Sequence, residues 1–333
     1  MLLARAGAWL DRAAFKPATL PNDLITAIAL LPPVAAGLII FKLPALEMLA
    51  VALVAGIAAY LAARWIWRGH GEHAPTSPIL APVFGVALIG AGAGLLVTAE
   101  VAALAVVLEL LRARYVPLIR AQAGLLALAA IALITRGATF VYLNPNGRST
   151  TEPLEPITTW SRLLHQSPWA LDPIRLYVGN VPGPVFATSL LAVAIGVAWL
   201  AYARRISLVV LAAFLLGAVV AVYNFHWDFS FQLDSGPTWF VAGLLLADRR
   251  LLPEAWVIRP VLGIAAGLFA VGLRKNGYGI EAAYFTVACV QAVMALVVVM
   301  LWGYATATDR WKRTRRLRQR EANLRVVKPI SRA

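Results

Sequence analysis

Ser149, Thr150 and Thr151 stand in a row directly after Arg148. A hydroxyl can carry a phosphoester, and a guanidinium can grip phosphate through two parallel N–H donors, so this run could hold a phosphorylated group. The plainer reading is a hydroxyl-rich turn continuing Asn144-Pro-Asn-Gly147. The run lies in residues 136–183, the one long polar interruption of the chain, which closes with Gly179-Asn-Val-Pro-Gly183 at the mouth of the next apolar stretch.

Five acidic residues stand in or beside apolar stretches: Glu100, Glu109, Asp234, Asp248 and Glu281. Each costs roughly 2.5–3.5 kcal/mol to place in a bilayer, so each needs a partner or a purpose. Glu109 has Arg112 and Asp248 has Arg249 close by in sequence, which predicts interfacial ion pairs. Snorkelling or Arg274 could satisfy Glu100, Asp234 and Glu281. The sharper reading is a proton or sodium relay. Gly85, Gly90, Gly92, Gly94, Gly236 and Gly243 let helices approach closely or leave a slot for a flat cofactor. His70-Gly-Glu-His73 lacks enough ligands for a structural metal and reads as a solvated turn. Cys289, the single cysteine, reads as a small buried hydrophobe; alone it can form neither an internal disulfide nor an iron–sulfur cluster.

These residues need elements to position them, and composition says which kind. Hydrophobic residues make up 61% of the chain and charged ones 14%, with mean hydropathy +0.75. That much apolar surface belongs to a polytopic membrane protein, whose spans must be helices because lipid offers no partner to a loose backbone group. The net charge of +14 gathers at span ends and in Arg310–Arg318, a distribution that suits anionic lipid and membrane orientation rather than nucleic acid. Met1–Lys16 lacks the apolar core and cleavage site of a removable leader.

Windows of about 19 residues predict ten spans, at 22–41, 44–66, 78–97, 98–113, 117–135, 184–203, 207–225, 231–247, 256–273 and 280–304. The chain thus divides into an N-terminal segment 1–21, a first half 22–135, the loop 136–183, a second half 184–304 and a basic tail 305–333. Arg64, Arg112, Arg204, Arg249 and the tail fall on one side, so both termini are expected in the cytoplasm and the loop outside. Arg120 and Arg259 stand 139 positions apart, as do Glu109 and Asp248; Arg64 and Arg204 stand 140 apart and Arg136 and Arg274 138. A near-constant offset of four spans predicts a repeat with both copies in the same orientation.

Several strings resemble the NqrB/RnfD family, ten-span subunits of ion-pumping redox complexes in bacterial inner membranes. Ala29-Leu-Leu-Pro32 is similar to its first span, and Ser149-Thr-Thr-Glu-Pro-Leu154 to its flavin-bearing segment. Gly179 to Gly183 with Thr188-Ser189 resembles the opening of its sixth span. Ser235-Gly236, Asp248 to Pro253, and Arg274, Gly277 and Glu281 resemble later strings in the same order. The resemblance implies an electron-carrying subunit, not an enzyme alone, acting with other subunits and coupled to Na+ or H+ movement. It implies FMN, esterified through its phosphate to the loop threonine or bound without that link, with Arg148 neutralising phosphate. Aligned without a gap on Pro153-Leu154, Glu152 takes the threonine's place; a shift of one residue brings Thr151 there, with Thr150 adjacent. Ala187 stands where the family has glutamate. A transporter with no redox centre and a flavin-free scaffold are the rival readings.

Overall fold

The computed structural model describes residues 20–66, 79–115, 119–143, 145, 173–227, 233, 235–253, 255–276 and 279–326. Helices are the regular structure throughout, with no strand among the described residues. Two long apolar helices come first, α1 (Asn22–Phe41) and α2 (Leu43–Ile66). A short α3 (Leu80–Val86) precedes α4 (Leu95–Tyr115) and α5 (Ala123–Ile134). Helix α6 (Pro173–Val178) lies within the loop, and α7 (Leu190–Tyr202) and α8 (Leu208–Asn224) follow it. One turn of α9 (Gly236–Trp239) runs into a π-helix at Phe240–Leu246. Helix α10 (Ile258–Lys275) and the 46-residue α11 (Glu281–Val326) complete the order.

Three of these, Asn22–Phe41, Leu43–Ile66 and Glu281–Tyr304, are long and apolar enough to cross a membrane. Their outward faces carry Leu31, Ile39, Val54, Leu61, Leu296 and Leu301, all exposed. Water would penalise such a surface and lipid tails would not, which accords with a membrane protein. Cys289 belongs to that outer face: it is exposed on α11, where the sequence reading had it buried. An apolar run does not say which of its residues face other protein and which face outward.

Two elements depart from the expected spans. The third, predicted at 78–97, is helical only to Val86 and then runs irregularly to Gly94, while α4 begins at Leu95, three residues earlier than predicted. The eighth is a helical turn and a π-helix. Every residue of α3 and of the π-helix is buried, so both broken elements sit at the centre of the bundle. Irregular backbone is tolerated there because other chain segments satisfy it. Gly90 N donates to the Thr139 carbonyl at 2.8 Å and Gly92 N to Val141 at 2.9 Å. A Cβ on Gly90 would run into that Val141 carbonyl, which is why glycine stands at the break.

The packing partners follow a five-element register. Helix α2 lies along α4 as α8 lies along α10; α4 packs on α5 as α10 packs on α11; α3 touches α5 as the π-helix touches α11; and α1 and α7 face each other. This is not the four-span register expected from the 139-residue offset, in which α4 would correspond to the π-helix and α5 to α10. Small residues set the closest approaches: Gly196 of α7 lies against the Ala29 carbonyl of α1, and Gly267 of α10 against the Phe214 carbonyl of α8.

Candidate functional site

Gly179 and Gly183 of the loop and Ser235 and Gly236 of the second half come together at the entry of α7. Helix α6 ends on Gly179, whose φ of 89° is the left-handed conformation that suits glycine. Its N–H and that of Asn180 both donate to the Arg175 carbonyl, at 2.8 and 2.9 Å. The chain then passes through Pro184–Ser189, a fully buried stretch that turns at Val185–Ala187. Val185 N donates to Ile89 at 2.8 Å and Phe186 N to Ala87 at 3.1 Å, so this stretch seals the irregular backbone that follows α3.

Ser189 caps α7: its Oγ accepts from Ala192 N at 3.3 Å and donates to the Tyr177 carbonyl at 3.4 Å. Thr188 Oγ1 donates back to the Pro184 carbonyl. Around these two residues the glycines close in. A Cβ on Gly179 would come within 2.6 Å of the Ser189 backbone, and one on Gly183 within 2.8 Å of Thr188 Oγ1. A Cβ on Gly236 would meet the Thr188 and Ala187 carbonyls and lie 2.9 Å from Leu190 N. The space beside each glycine is therefore filled by protein, and the glycines serve close packing rather than a slot for a ring.

Two polar groups border this cluster. Ser235 is buried, and its Oγ has no hydrogen-bond partner among the described residues. Arg274 of α10 is buried too and donates through Nη2 to Thr238 Oγ1 of α9 at 3.1 Å. A buried hydroxyl and a buried guanidinium are the groups here that could accept or hold a phosphate or a ring carbonyl. Glu281 accepts from Gly279 N at 3.2 Å, at the start of α11.

At the other end of the bundle, Glu109 and Asp248's partner Arg250 line one cavity. Glu109 is buried and takes both Nε and Nη2 of Arg112, the expected pair. Asp248 is also buried, but its close partner is Arg250 rather than Arg249: Arg250 Nη2 stands 2.8 Å from Oδ2 and Nε 3.1 Å away. Arg249 turns to the Ile206 carbonyl at 3.0 Å. Arg205 approaches Asp248 at 3.6 Å and donates to Asn22 at 2.9 Å, and Arg250 reaches Asp23 of α1 at 3.8 Å. Burial pushes the Asp248 carboxyl up, to about 7, and the Arg205 guanidinium pulls it back. The Arg250 fork, bonded to both carboxylate oxygens, adds to that pull.

Sequence reasoning passed over Gln291, which stands in the middle of an apolar run. It is buried on α11; its Oε1 accepts from Gln122 N at 2.9 Å and its Nε2 donates to the Leu245 carbonyl at 3.1 Å. One carboxamide thus serves the entry of α5 and a carbonyl of the π-helix. A lone glutamine among valines and alanines was the available signal. Glu100 is exposed on α4. Arg148, Ser149, Thr150, Thr151 and Asp234 lie outside the described residues, as do His70 and His73. No protein-family model and no curated protein matches this chain.

Proposed function

We propose that this chain is the membrane-embedded subunit of an electron-transport complex of the NqrB/RnfD kind. In this reading it sits in a bacterial inner membrane, with both termini cytoplasmic and other redox subunits as partners. The observation that carries the proposal is convergence. Gly179, Gly183, Thr188, Ser189, Ser235 and Gly236, part of the set that carries the resemblance, gather at the entry of α7, and Arg274 borders them through Thr238. Residues drawn together in this way form one working unit more readily than chance similarity would.

This reading counts ten crossing segments, taking α3 and its irregular continuation as one and α9 with the π-helix as another. Five elements per copy is an odd number, so the copies run in opposite senses, and the polar loop leaves the membrane on the face away from the basic tail. FMN, when bound, supplies reversible electron transfer. On this chain Thr151 is the hydroxyl for a phosphoester and Arg148 the counter-charge to its phosphate. Ser235 and Arg274 border the same cluster as polar groups for a ring or phosphate oxygen. Coupling to Na+ or H+ movement would draw on Glu109 and Asp248, where both halves place a carboxylate at one end.

The test is expression in cells with a competent flavin transferase, followed by ultraviolet fluorescence of the denatured protein in a gel and assay of acid-released flavin. A fluorescent band lost in Thr151→Ala and kept in Thr150→Ala supports the covalent form. A dark band with stoichiometric released flavin supports the non-covalent one. Protein without flavin by either assay would remove the redox reading. The rival with a specific observation behind it is a solute or ion transporter: discontinuous helices meeting at a bundle centre are how such proteins build a binding site. Flavin-free protein that moves a solute in vesicles would favour it.

A further inference from the structure

A cavity of about 200 Å³ opens between the two ion pairs, at the end of the bundle where α1 begins and α4 ends. Its floor is apolar and buried, built from Leu80, Phe84 and Leu251. Its lip is polar and partly exposed, built from Arg112, Gln122 and Arg250. By volume it holds roughly seven waters, or the head of a small amphiphile.

The lip is rich in donors. A guanidinium carries five N–H groups. Arg112 spends three on Glu109 and on the Ile119 carbonyl, the last at 3.1 Å. Arg250 is spread over Asp248, Thr26 Oγ1 at 3.4 Å and Asp23. Each arginine therefore has donors beyond its main carboxylate and a second protein acceptor to hold its position. Glu109, the one carboxylate in the lining, already has its charge matched by Arg112. Two more cations flank the lining in sequence, Arg120 beside Ala121 and Arg249 beside Arg250, and Arg120 reaches over to the Leu252 carbonyl at 2.9 Å. Against Glu109, Asp248 and Asp23 stand Arg112, Arg250, Arg205, Arg120 and Arg249, so the described residues at this end carry an excess of cations that draws anions.

We infer that the pocket binds an amphipathic oxyanion: a phosphate or carboxylate head at the Arg112–Arg250 lip, with the adjoining apolar group on the Leu80–Phe84–Leu251 floor. Basic pockets between membrane helices take anionic lipid heads by this chemistry, and a soluble short-chain carboxylate presents the same two halves. The site is independent of the flavin reading and stands or falls separately from it.

The experiment is thermal unfolding of the full-length protein in neutral detergent at fixed ionic strength, titrated with phosphatidylglycerol, phosphatidylcholine, hexanoate or inorganic phosphate. Phosphatidylglycerol or hexanoate should raise the unfolding temperature with saturation, and phosphatidylcholine should not. A response to phosphatidylglycerol alone assigns the head to a lipid; a response to hexanoate assigns it to a soluble ligand. Ala121→Leu narrows the lining without touching an ion pair, and Arg112→Lys keeps charge but loses the fork; each should weaken the response about tenfold or more. Equal stabilisation by phosphatidylcholine overturns the proposal. So does an unchanged response in both variants, an effect of inorganic phosphate as large as that of the responding amphiphile, or no response to any probe.

Discussion

The rings of Phe84 and Phe240 meet edge to face, with centroids 6.3 Å apart and planes at 65°. Phe84 belongs to α3 and Phe240 opens the π-helix, so the two broken elements, one from each half, touch at the centre of the molecule. Both rings are buried. The contact joins elements that stand as counterparts in the five-element register, and it marks the seam between the halves. Truncating either ring to alanine should cost roughly 3–5 kcal/mol. The double variant should cost less than the sum of the singles by about 0.5–1.5 kcal/mol. Chemical or thermal unfolding of the four proteins in one detergent measures this; strict additivity would show that the rings do not couple.

Gln291 should behave as a structural keystone despite its apolar surroundings. Gln291→Leu removes both partners at once, leaving Gln122 N and the Leu245 carbonyl without the side chain that serves them. Each orphaned buried group costs about 1–3 kcal/mol. Hydrogen exchange should rise at the entry of α5 and in the π-helix together. Exchange confined to α11 would mean that the carboxamide does not tie these elements.

Two glycines give a matched pair. Gly236→Ala drives a Cβ into the Thr188 and Ala187 carbonyls, whereas a Cβ on Gly272 meets nothing within 4 Å. The first should destabilise strongly and, on the flavin reading, lower flavin content. The second should stabilise α10 by about 0.5–1 kcal/mol, the usual gain when alanine replaces glycine inside a helix. Unfolding midpoints of the two variants decide it, and a harmless Gly236→Ala would dissolve the close packing at the α7 entry.

Asp248 yields a prediction in pH. Burial, partly offset by the Arg205 guanidinium, raises its folded pKa to about 7, above the unfolded value. Arg250→Gln removes the fork that donates to both carboxylate oxygens, hydrogen bonds that favour the charged form. In that variant the proton should bind more tightly in the folded state, so this group's stabilisation is full below the unfolded pKa and lost as pH rises through the folded one. The variant's unfolding temperature should therefore keep falling as pH rises above about 7, where that of wild type levels off. Parallel curves would show that the Arg250 fork does not set the charge on Asp248.

Much of the bundle was legible because lipid permits only helices to cross and because runs of Leu, Val and Ala long enough to cross announce themselves. Helices α1, α2 and α11 fall where the apolar windows put them. The broken elements were not legible, since Gly90–Gly94 and Phe240–Leu246 are as apolar as any helix, and hydropathy carries no record of where i→i+4 bonding stops. The repeat register misled for a related reason. Matches such as Arg120 with Arg259 align interfacial cations, which recur at every second boundary whatever the packing. At the candidate site the glycines were visible and their role was not: what fills the space beside Gly179 and Gly236 is backbone from Thr188 and Ser189, distant in sequence from Gly236. The partner of Asp248 was misjudged by one residue, because the turn after the π-helix aims Arg250 rather than Arg249 at the carboxylate.

In the proposed reading, two halves of opposite sense set the polar loop and the basic tail on opposite faces of one membrane. Accessibility of single cysteines tests it most directly. In a Cys289→Ala background, Asn146→Cys in the loop and Thr314→Cys in the tail are exposed to a membrane-impermeant maleimide on intact spheroplasts, before and after permeabilisation. The account predicts labelling of Asn146→Cys in intact spheroplasts and of Thr314→Cys only after permeabilisation; labelling of both from the same side would contradict it.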